Sequence, residues 1–477
     1  MGYFRNRKLK QLRAQWQSPK TWDREFSSIR ILFDLTRPSS DQAVVDDKTW
    51  HDLDMDSVFR KVDSTITSVG QQYLYRKLRL LQDSNSRLED DYKVVTTLKE
   101  DRDLREALQL NLSMLKQGDA KLVSKTLFDT IPAYTFPKLA IFLWSLLSLS
   151  TLFFAAYLGG AYLFLILPIV IANFSISRYF EGISDGIADI LYYLYNLVSI
   201  SERIAKLELS SKIPACKDLE NRRSSIAKVK KVMRRIAISQ SSENLLVNNA
   251  MYLLNLTFPY DFLVYSLSIK SIVSETEVMK ACYLAVASID SSISTASYIN
   301  RNDHLCNPTL ISGDAMELED AYHPLVDNYV ANSFSTQGPS VLVTGSNMAG
   351  KTTFIKTIGV NVIFARSLWI CHATQARIPL VDVYSSIKTE DGLIDGKSFY
   401  FSELERLKTF IEMAGAGKKC LFLIDEIYRG TNTIERIAGA AAVLQELAKG
   451  NLVFVTTHDI ELASMLGSQF EQWHFEE

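Results

Sequence analysis

The sequence predicts a multidomain chain of the α plus α/β class, and three observations predict it. Apolar residues recur at helical spacing through residues 50–130 and again through 179–300, for example Leu74, Leu78, Leu81 and Leu88. Between those stretches, the run from Leu139 to Ser177 holds no Asp, Glu, Lys, Arg or His. From about Pro339 the texture changes to short β-rich runs separated by helical stretches, which implies a parallel sheet with helices packed on it. At 477 residues the chain is too long for one small core, and 47% hydrophobic with 22% charged residues excludes wholesale disorder.

Residues 1–45 form a basic N-terminal segment. Its opening residues are followed by Gln15, Trp16, Gln17 and Asp23 rather than an apolar stretch, so it is not a secretory signal, and it lacks the Ser or Thr of a myristoylation site. A basic helix lying on a protein or membrane surface is expected. Residues 46–135 read as the first part of a helical core. Residues 136–178 are expected to form a transmembrane two-helix hairpin. One helix over the charge-free run would far exceed a bilayer, whereas two of about 17 to 19 residues would each just span it. Gly159 and Gly160 supply the break, and Lys138 and Arg178 bracket the run. Both flanking regions then lie on the cytoplasmic side, which predicts a multi-pass protein of the cytoplasmic (inner) membrane, held through residues 139–177. Residues 179–310 continue as long core and lever helices, with Pro214 and Pro259 as the clearest breaks. Residues 311–477 carry the β-rich texture.

Charge and cysteine use narrow the function classes. Lys and Arg total 52 against 54 Asp and Glu, a net charge of -2, so nothing draws the whole chain towards nucleic acid. One local exception is the stretch holding Arg222, Arg223, Lys228, Lys230, Lys231, Arg234 and Arg235, with no acid between Glu220 and Glu243. A solvated lever helix, DNA phosphate contacts and lipid-headgroup contacts all fit it. Five cysteines without a C-x-x-C pair argue against a disulfide framework or zinc ribbon and fit a reducing compartment.

The chemistry is concentrated near the C-terminus. The run Ser340 to Thr344 leads into G-S-N-M-A-G-K-T, Gly345 to Thr352, a full G-x-x-x-x-G-K-[ST] phosphate loop between a strand and a helix. Gly345, Asn347, Met348, Gly350, Lys351, Thr352 and Thr353 are its candidate nucleotide-binding residues. Backbone N–H groups and the helix N-terminus would cradle ATP phosphates, Lys351 would reach the β and γ phosphates, and the Thr352 hydroxyl would ligate Mg²⁺. The apolar run L-F-L-I ends in Asp425 and Glu426. Asp425 is the second candidate Mg²⁺ residue, and Glu426 would orient or deprotonate the attacking water. A third run, N-L-V-F-V-T-T, ends at His458, placed to sense the γ phosphate. Lys351, Glu426 and His458 are the catalytic candidates.

These residues resemble the MutS ATPases of DNA mismatch repair and their paralogues. T-G-S-N-M-A-G-K-T looks like the family's T-G-P-N-M-G-G-K-S, D-E-I-Y-R-G-T-N at Asp425 to Asn432 looks like D-E-I-G-R-G-T-S, and T-T-H-D at Thr456 looks like A-T-H. G-K-S-F-Y-F-S-E-L at Gly396 to Leu404 is similar to G-x-S-T-F-x-x-E-[ML], whose Ser reaches a dimer partner's γ phosphate, a role the resemblance gives to Ser398. Y-H-P-L-V at Tyr322 resembles the opening of the ATPase domain, and Y-V-A-N at Tyr329 matches a stretch whose aromatic stacks on adenine. T-S-V-G-Q-Q-Y-L-Y-R-K-L at Thr67 to Leu78 is similar to the helical core's T-x-x-G-x-x-x-L-x-x-x-L. The resemblance implies a MutS-like core and levers, an ABC-type P-loop NTPase domain and a homodimer through the ATPase domains. It covers nothing of residues 136–178.

The departures are equally informative. The short segment before the core leaves no room for the family's mismatch reader, and the F-x-E strings at Phe401 to Glu403 and Phe475 to Glu477 are not its wedge. No clamp is identifiable. The chain ends soon after His458, so the family's last ATPase strand and dimerisation helices are expected to be missing. The expected function is a membrane-anchored MutS-like ATPase that couples ATP binding and hydrolysis to gripping mismatched or branched DNA, in mismatch repair or recombination. The alternative is a membrane mechano-ATPase acting on a protein or lipid partner without DNA.

Overall fold

The computed structural model describes residues 2–18, 25–38, 42–115, 120–129, 138–158, 163–184, 187–207, 212–240, 249, 252–255, 257–336, 338, 340–346, 349–387, 399–428, 433–467 and 469–476. Its C-terminal part is built on two sheets. One is mixed and four-stranded, in the order β1 (Thr309–Ile311), β5 (Gln375–Pro379), β2 (Glu317–Ala321), β3 (Asn332–Ser335). The other is five-stranded and parallel throughout, in the order β6 (Asp382–Ser386), β7 (Cys420–Asp425), β8 (Leu452–Thr456), β4 (Ser340–Gly345), β9 (Glu471–Phe475). The three apolar runs read from the sequence are β4, β7 and β8.

Side-chain alternation divides that parallel sheet between two cores. Val341, Val343, Leu421, Leu423, Leu452 and Phe454 face the helix Lys351–Ser367. Leu342, Phe422, Ile424, Val453 and Val455 face Phe410, Leu444 and Leu466 on the helices of the opposite layer. Burial on both faces explains why these strands read as continuous apolar runs. The first core also contains Trp50, Leu53, Met55, Phe59, Leu74 and Leu78, so the N-terminal helices Asp47–Asp52, Met55–Val62 and Ser68–Arg79 pack directly behind the phosphate-loop helix.

A second, all-helical core gathers around the helix Thr276–Asn300, which packs on Ser68–Arg79, Asn85–Glu100, Ile187–Ile204 and Pro214–Asn221. Pro214 opens a helix at its first turn and Pro259 caps the start of Tyr260–Val273, as their fixed φ favours. One face of the N-terminal helix Gly2–Gln17 meets protein. Leu12 is buried, Arg13 pairs with Glu106 at 2.7 Å, and the Arg105 guanidinium lies 3.9 Å over the Trp16 ring. All five cysteines are free, in keeping with the absence of a disulfide framework.

The structure corrects two expectations. The charge-free run forms two helices, Lys138–Leu158 and Leu163–Ser184, but among the described residues no helix is long and apolar enough to cross a membrane. Lack of charge and apolar length are different quantities. The second helix contains Pro168 and reaches Arg178 before it has accumulated the roughly 20 apolar residues a span needs. The first carries Ser145, Ser148, Ser150 and Thr151, and the last two return their hydroxyls to the Leu147 carbonyl at 2.8 Å. The helices pack on each other and on Tyr260–Val273, and the Trp144 indole donates to the buried Asn173 Oδ1 at 2.8 Å. The transmembrane hairpin, the multi-pass inner-membrane location and the membrane as a partner of residues 139–177 therefore fall. The break at Gly159 and Gly160 lies outside the described residues.

The second correction concerns the last strand. Glu471–Phe475 forms β9 at the sheet edge, in register with β4 from Val341–Glu471 to Gly345–Phe475. Its alternation puts Trp473 and Phe475 on the first core, a period-2 signal that is present in the sequence.

Candidate functional site

Because β7, β8 and β4 are adjacent and parallel, their carboxyl ends deliver Asp425, Thr456 and Gly345 to one edge of the sheet, where ligands of α/β folds bind. Gly350 closes the phosphate loop at φ +82°, a left-handed conformation that glycine adopts without penalty, and Lys351 begins the helix that follows. The first N–H groups of that helix have no intrahelical partner and point into the site.

Lys351 is almost fully buried at this edge. Its ammonium donates to the carbonyls of Gly345 at 2.8 Å and Ser346 at 2.5 Å and lies 3.4 Å from His458 Nε2. Burial lowers its pKa, and the carboxylates of Glu426 and Asp425 oppose that shift. His458 Nε2 is also 3.1 Å from Glu426 Oε1, so Lys351, His458 and Glu426 form one contiguous polar chain.

Asp425 sits between two hydroxyls. Thr352 Oγ1 donates to Oδ2 at 3.0 Å and Thr456 Oγ1 to Oδ1 at 2.6 Å. The register pairing of Asp425 with Thr456 on the neighbouring strand fixes the second contact. Thr352 and Asp425 offer the hard oxygen donors that Mg²⁺ takes. Among the described residues no group of three or more His, Cys, Asp or Glu could hold a metal by itself. A cation here would complete its shell with phosphate and water oxygens, which suits Mg²⁺ bound together with a nucleotide.

Beside the loop lies a cavity of about 430 Å³ lined by Tyr322, His323, Tyr329, Asn332, Gly350 and Thr353 among others. Tyr329 and Tyr322 stack with ring centroids 4.2 Å apart. The cavity thus joins the aromatic pair to the phosphate loop over a span suited to a nucleoside and its phosphates. Of the predicted site residues, Tyr329, Gly350 and Thr353 line this cavity, while Gly345, Lys351, Thr352, Asp425, Glu426 and His458 are joined by the contacts at the strand ends. Asn347, Met348 and Ser398 lie outside the described residues.

Sequence reading missed Tyr322 as the stacking partner of Tyr329, Thr456 as the second hydroxyl on Asp425, and Glu403, whose Oε1 accepts the Tyr428 N–H at 2.6 Å. Tyr322 and Thr456 stand inside recognisable motifs, but their roles depend on register and loop packing.

Residues 341–476 match the family model of MutS domain V. The chain is 27% identical to the DNA mismatch repair protein MutS of Alkaliphilus oremlandii over 203 residues, 40% of this chain and 23% of that protein. It is 33% identical to the probable DNA mismatch repair protein Msh6 of Drosophila melanogaster over 180 residues, 35% of this chain and 15% of that protein. With MutS of Thermus aquaticus it shares 32% identity over 158 residues, 32% of this chain and 19% of that protein. The chain therefore spans less than a quarter of the length of these relatives. These matches make the C-terminal part of the chain similar to MutS domain V and to DNA mismatch repair proteins.

Proposed function

We propose that the chain is a MutS-like ATPase that couples ATP binding and hydrolysis to gripping DNA. The observation that supports this most directly is the convergence of Lys351, Thr352, Asp425, Glu426 and His458 at the ends of three neighbouring parallel strands. Tyr329 takes the adenine, and the loop amides with Lys351 hold the phosphates. Thr352 and Asp425 would hold Mg²⁺, which neutralises charge on the β and γ phosphates when bound. Glu426 orients and deprotonates the attacking water, and His458, touching both Glu426 and Lys351, reports the γ phosphate to each.

Variants of the two charged residues separate binding from chemistry. Lys351→Ala abolishes hydrolysis because it removes a ground-state phosphate contact as well as transition-state stabilisation. Glu426→Ala keeps nucleotide affinity and blocks turnover. Phosphate release and fluorescent-nucleotide titration measure the two quantities, and unchanged turnover in both variants would sink the assignment.

The DNA part of the proposal draws on the basic stretch. On the helix Arg223–Gln240, Lys228 pairs with Glu275 and Lys230 with Glu202, and Arg222 just before it pairs with Asp218. Arg223, Lys231 and Arg234 stand exposed. Binding to labelled duplex or branched DNA is expected to weaken with salt. Replacing those three residues lowers the slope of log affinity against log salt by about 1 for each of them that neutralises a phosphate. The internal pairing of Arg222, Lys228 and Lys230 favours a second reading, a mechano-ATPase that acts on a protein partner. ATP turnover without salt-dependent DNA binding decides for that reading.

A further inference from the structure

The loop that carries Glu426 is strained. Glu426 has φ +54° and Tyr428 φ +58°, both left-handed and neither glycine. At Tyr428 the resembling family motif has glycine, which adopts this conformation freely. Here the chain keeps it with a bulky aromatic residue, so surrounding contacts must hold it. Two are visible. The Tyr428 ring joins the apolar core that holds Phe410 and Leu444 and lies against Gly439 on the helix Thr433–Leu447. The Tyr428 N–H is gripped at 2.6 Å by the Glu403 carboxylate, from the first turns of the helix Phe399–Ala414. On the other side, the Glu426 N–H is held at 3.2 Å by both the carbonyl and the hydroxyl of Thr456. Glu426 is thus suspended between two anchors, one on β8 and one on a helix that starts directly after Ser398.

We propose that Glu403 is a positioning residue for ATP hydrolysis: its carboxylate holds the left-handed Tyr428 so that Glu426 faces His458 and the phosphate loop. This rests on the reading of Glu426 as the group that acts on water. Glu403 acts through the backbone, by the bond it accepts from the Tyr428 N–H. It also ties the water-activating loop to the segment that the resemblance assigns to a partner's nucleotide, so a shift of that helix reaches Glu426 through one hydrogen bond.

The test is steady-state ATP hydrolysis by the full chain, with kcat and KM resolved and thermal unfolding measured alongside. Glu403→Ala is expected to lower kcat roughly tenfold, the loss of one charge-assisted hydrogen bond, with KM within about twofold of the parent. Glu403→Gln retains an oxygen acceptor and restores most of the rate. Tyr428→Gly removes the strain that Glu403 opposes, so Glu403→Ala in that background costs no more than about threefold. Equal losses in the two backgrounds, or a loss that follows the unfolding temperature and is not rescued by Gln, overturn the proposal. An active parent whose kcat is unchanged by Glu403→Ala overturns it also. A parent chain without turnover instead overturns the ATPase reading of the site, and the positioning role with it.

Discussion

His323 lines the cavity beside the phosphate loop and His372 packs edge-on against Tyr322, and both are held neutral. Burial is the main cause, lowering His323 to about 4 and His372 to about 3, and Lys61 pushes both in the same direction. His372 Nε2 lies 2.7 Å from the Tyr298 hydroxyl, while its backbone N–H donates to Asn361 Oδ1 on the phosphate-loop helix. In the unfolded chain each imidazole titrates near 6.5. Above that pH neither state binds the proton and nothing changes. Below it the unfolded state takes up protons that the folded state refuses, so stability falls as pH falls, by about 1.4 kcal/mol per unit for each histidine, until the folded value is reached. Urea unfolding at pH 7.5, 6 and 5 measures the slope, and His372→Gln is expected to halve it; a flat profile over that range would refute the buried neutral pair. The residues proposed for chemical roles are legible in the sequence at this scale, because Lys351, Thr352, Asp425, Glu426 and His458 occupy fixed places in motifs. Residues whose role is geometric are not. Thr456, Tyr322, Glu403 and His372 acquire their partners from strand register and from helices distant in sequence.

Among the secondary-structure elements, the helix Ser68–Arg79 shows how a motif can be structural. Thr67 caps it through Gly70 N–H, and the buried Asp290 carboxylate, from the helix Thr276–Asn300, accepts from Ile66 N–H, Thr67 N–H and the Thr67 hydroxyl. A Cβ on Gly70 would collide with the Asp290 side chain, so glycine is required for the two helices to approach. This accounts physically for the T-x-x-G spacing read at Thr67 and Gly70. Asp290→Ala leaves buried donors without their acceptor and is expected to destabilise the chain by about 3 kcal/mol, more than Asp290→Asn, which keeps one acceptor oxygen. Chemical denaturation of both variants checks the order; equal stabilities would show that the carboxylate contributes no more than its volume. Periodicity reveals this helix and the three apolar strands, since both depend on local pattern. It fails at Leu139 to Ser177, where absence of charge mimics apolar length: the run forms two helices joined by the Trp144–Asn173 contact, with Pro168 inside the second.

Across the whole molecule, the core behind the phosphate loop is continuous with the N-terminal helices. Asp46 and Thr49 accept from Arg406 on the helix that follows Ser398, and Asp52 accepts from Ser385 and Ile387 beside β6. The helix Thr276–Asn300 reaches the same region through Tyr298. Such continuity is not legible from domain textures, because each partner comes from a different end of the chain. Through Arg406, a movement of the helix Phe399–Ala414 would be shared with the N-terminal helices. If Ser398 completes a neighbour's nucleotide site, as the resemblance implies, hydrolysis per chain rises with protein concentration until dimers saturate. A Lys351→Ala chain has a dead loop but a sound Ser398, and a Ser398→Ala chain has the reverse, so each alone is inactive. In their heterodimer the intact loop of one meets the intact serine of the other, giving one working site of two. Random assembly of an equal mixture then returns about a quarter of the parent rate. Turnover strictly proportional to concentration, with no recovery on mixing, would show that Ser398 serves its own chain or only the fold.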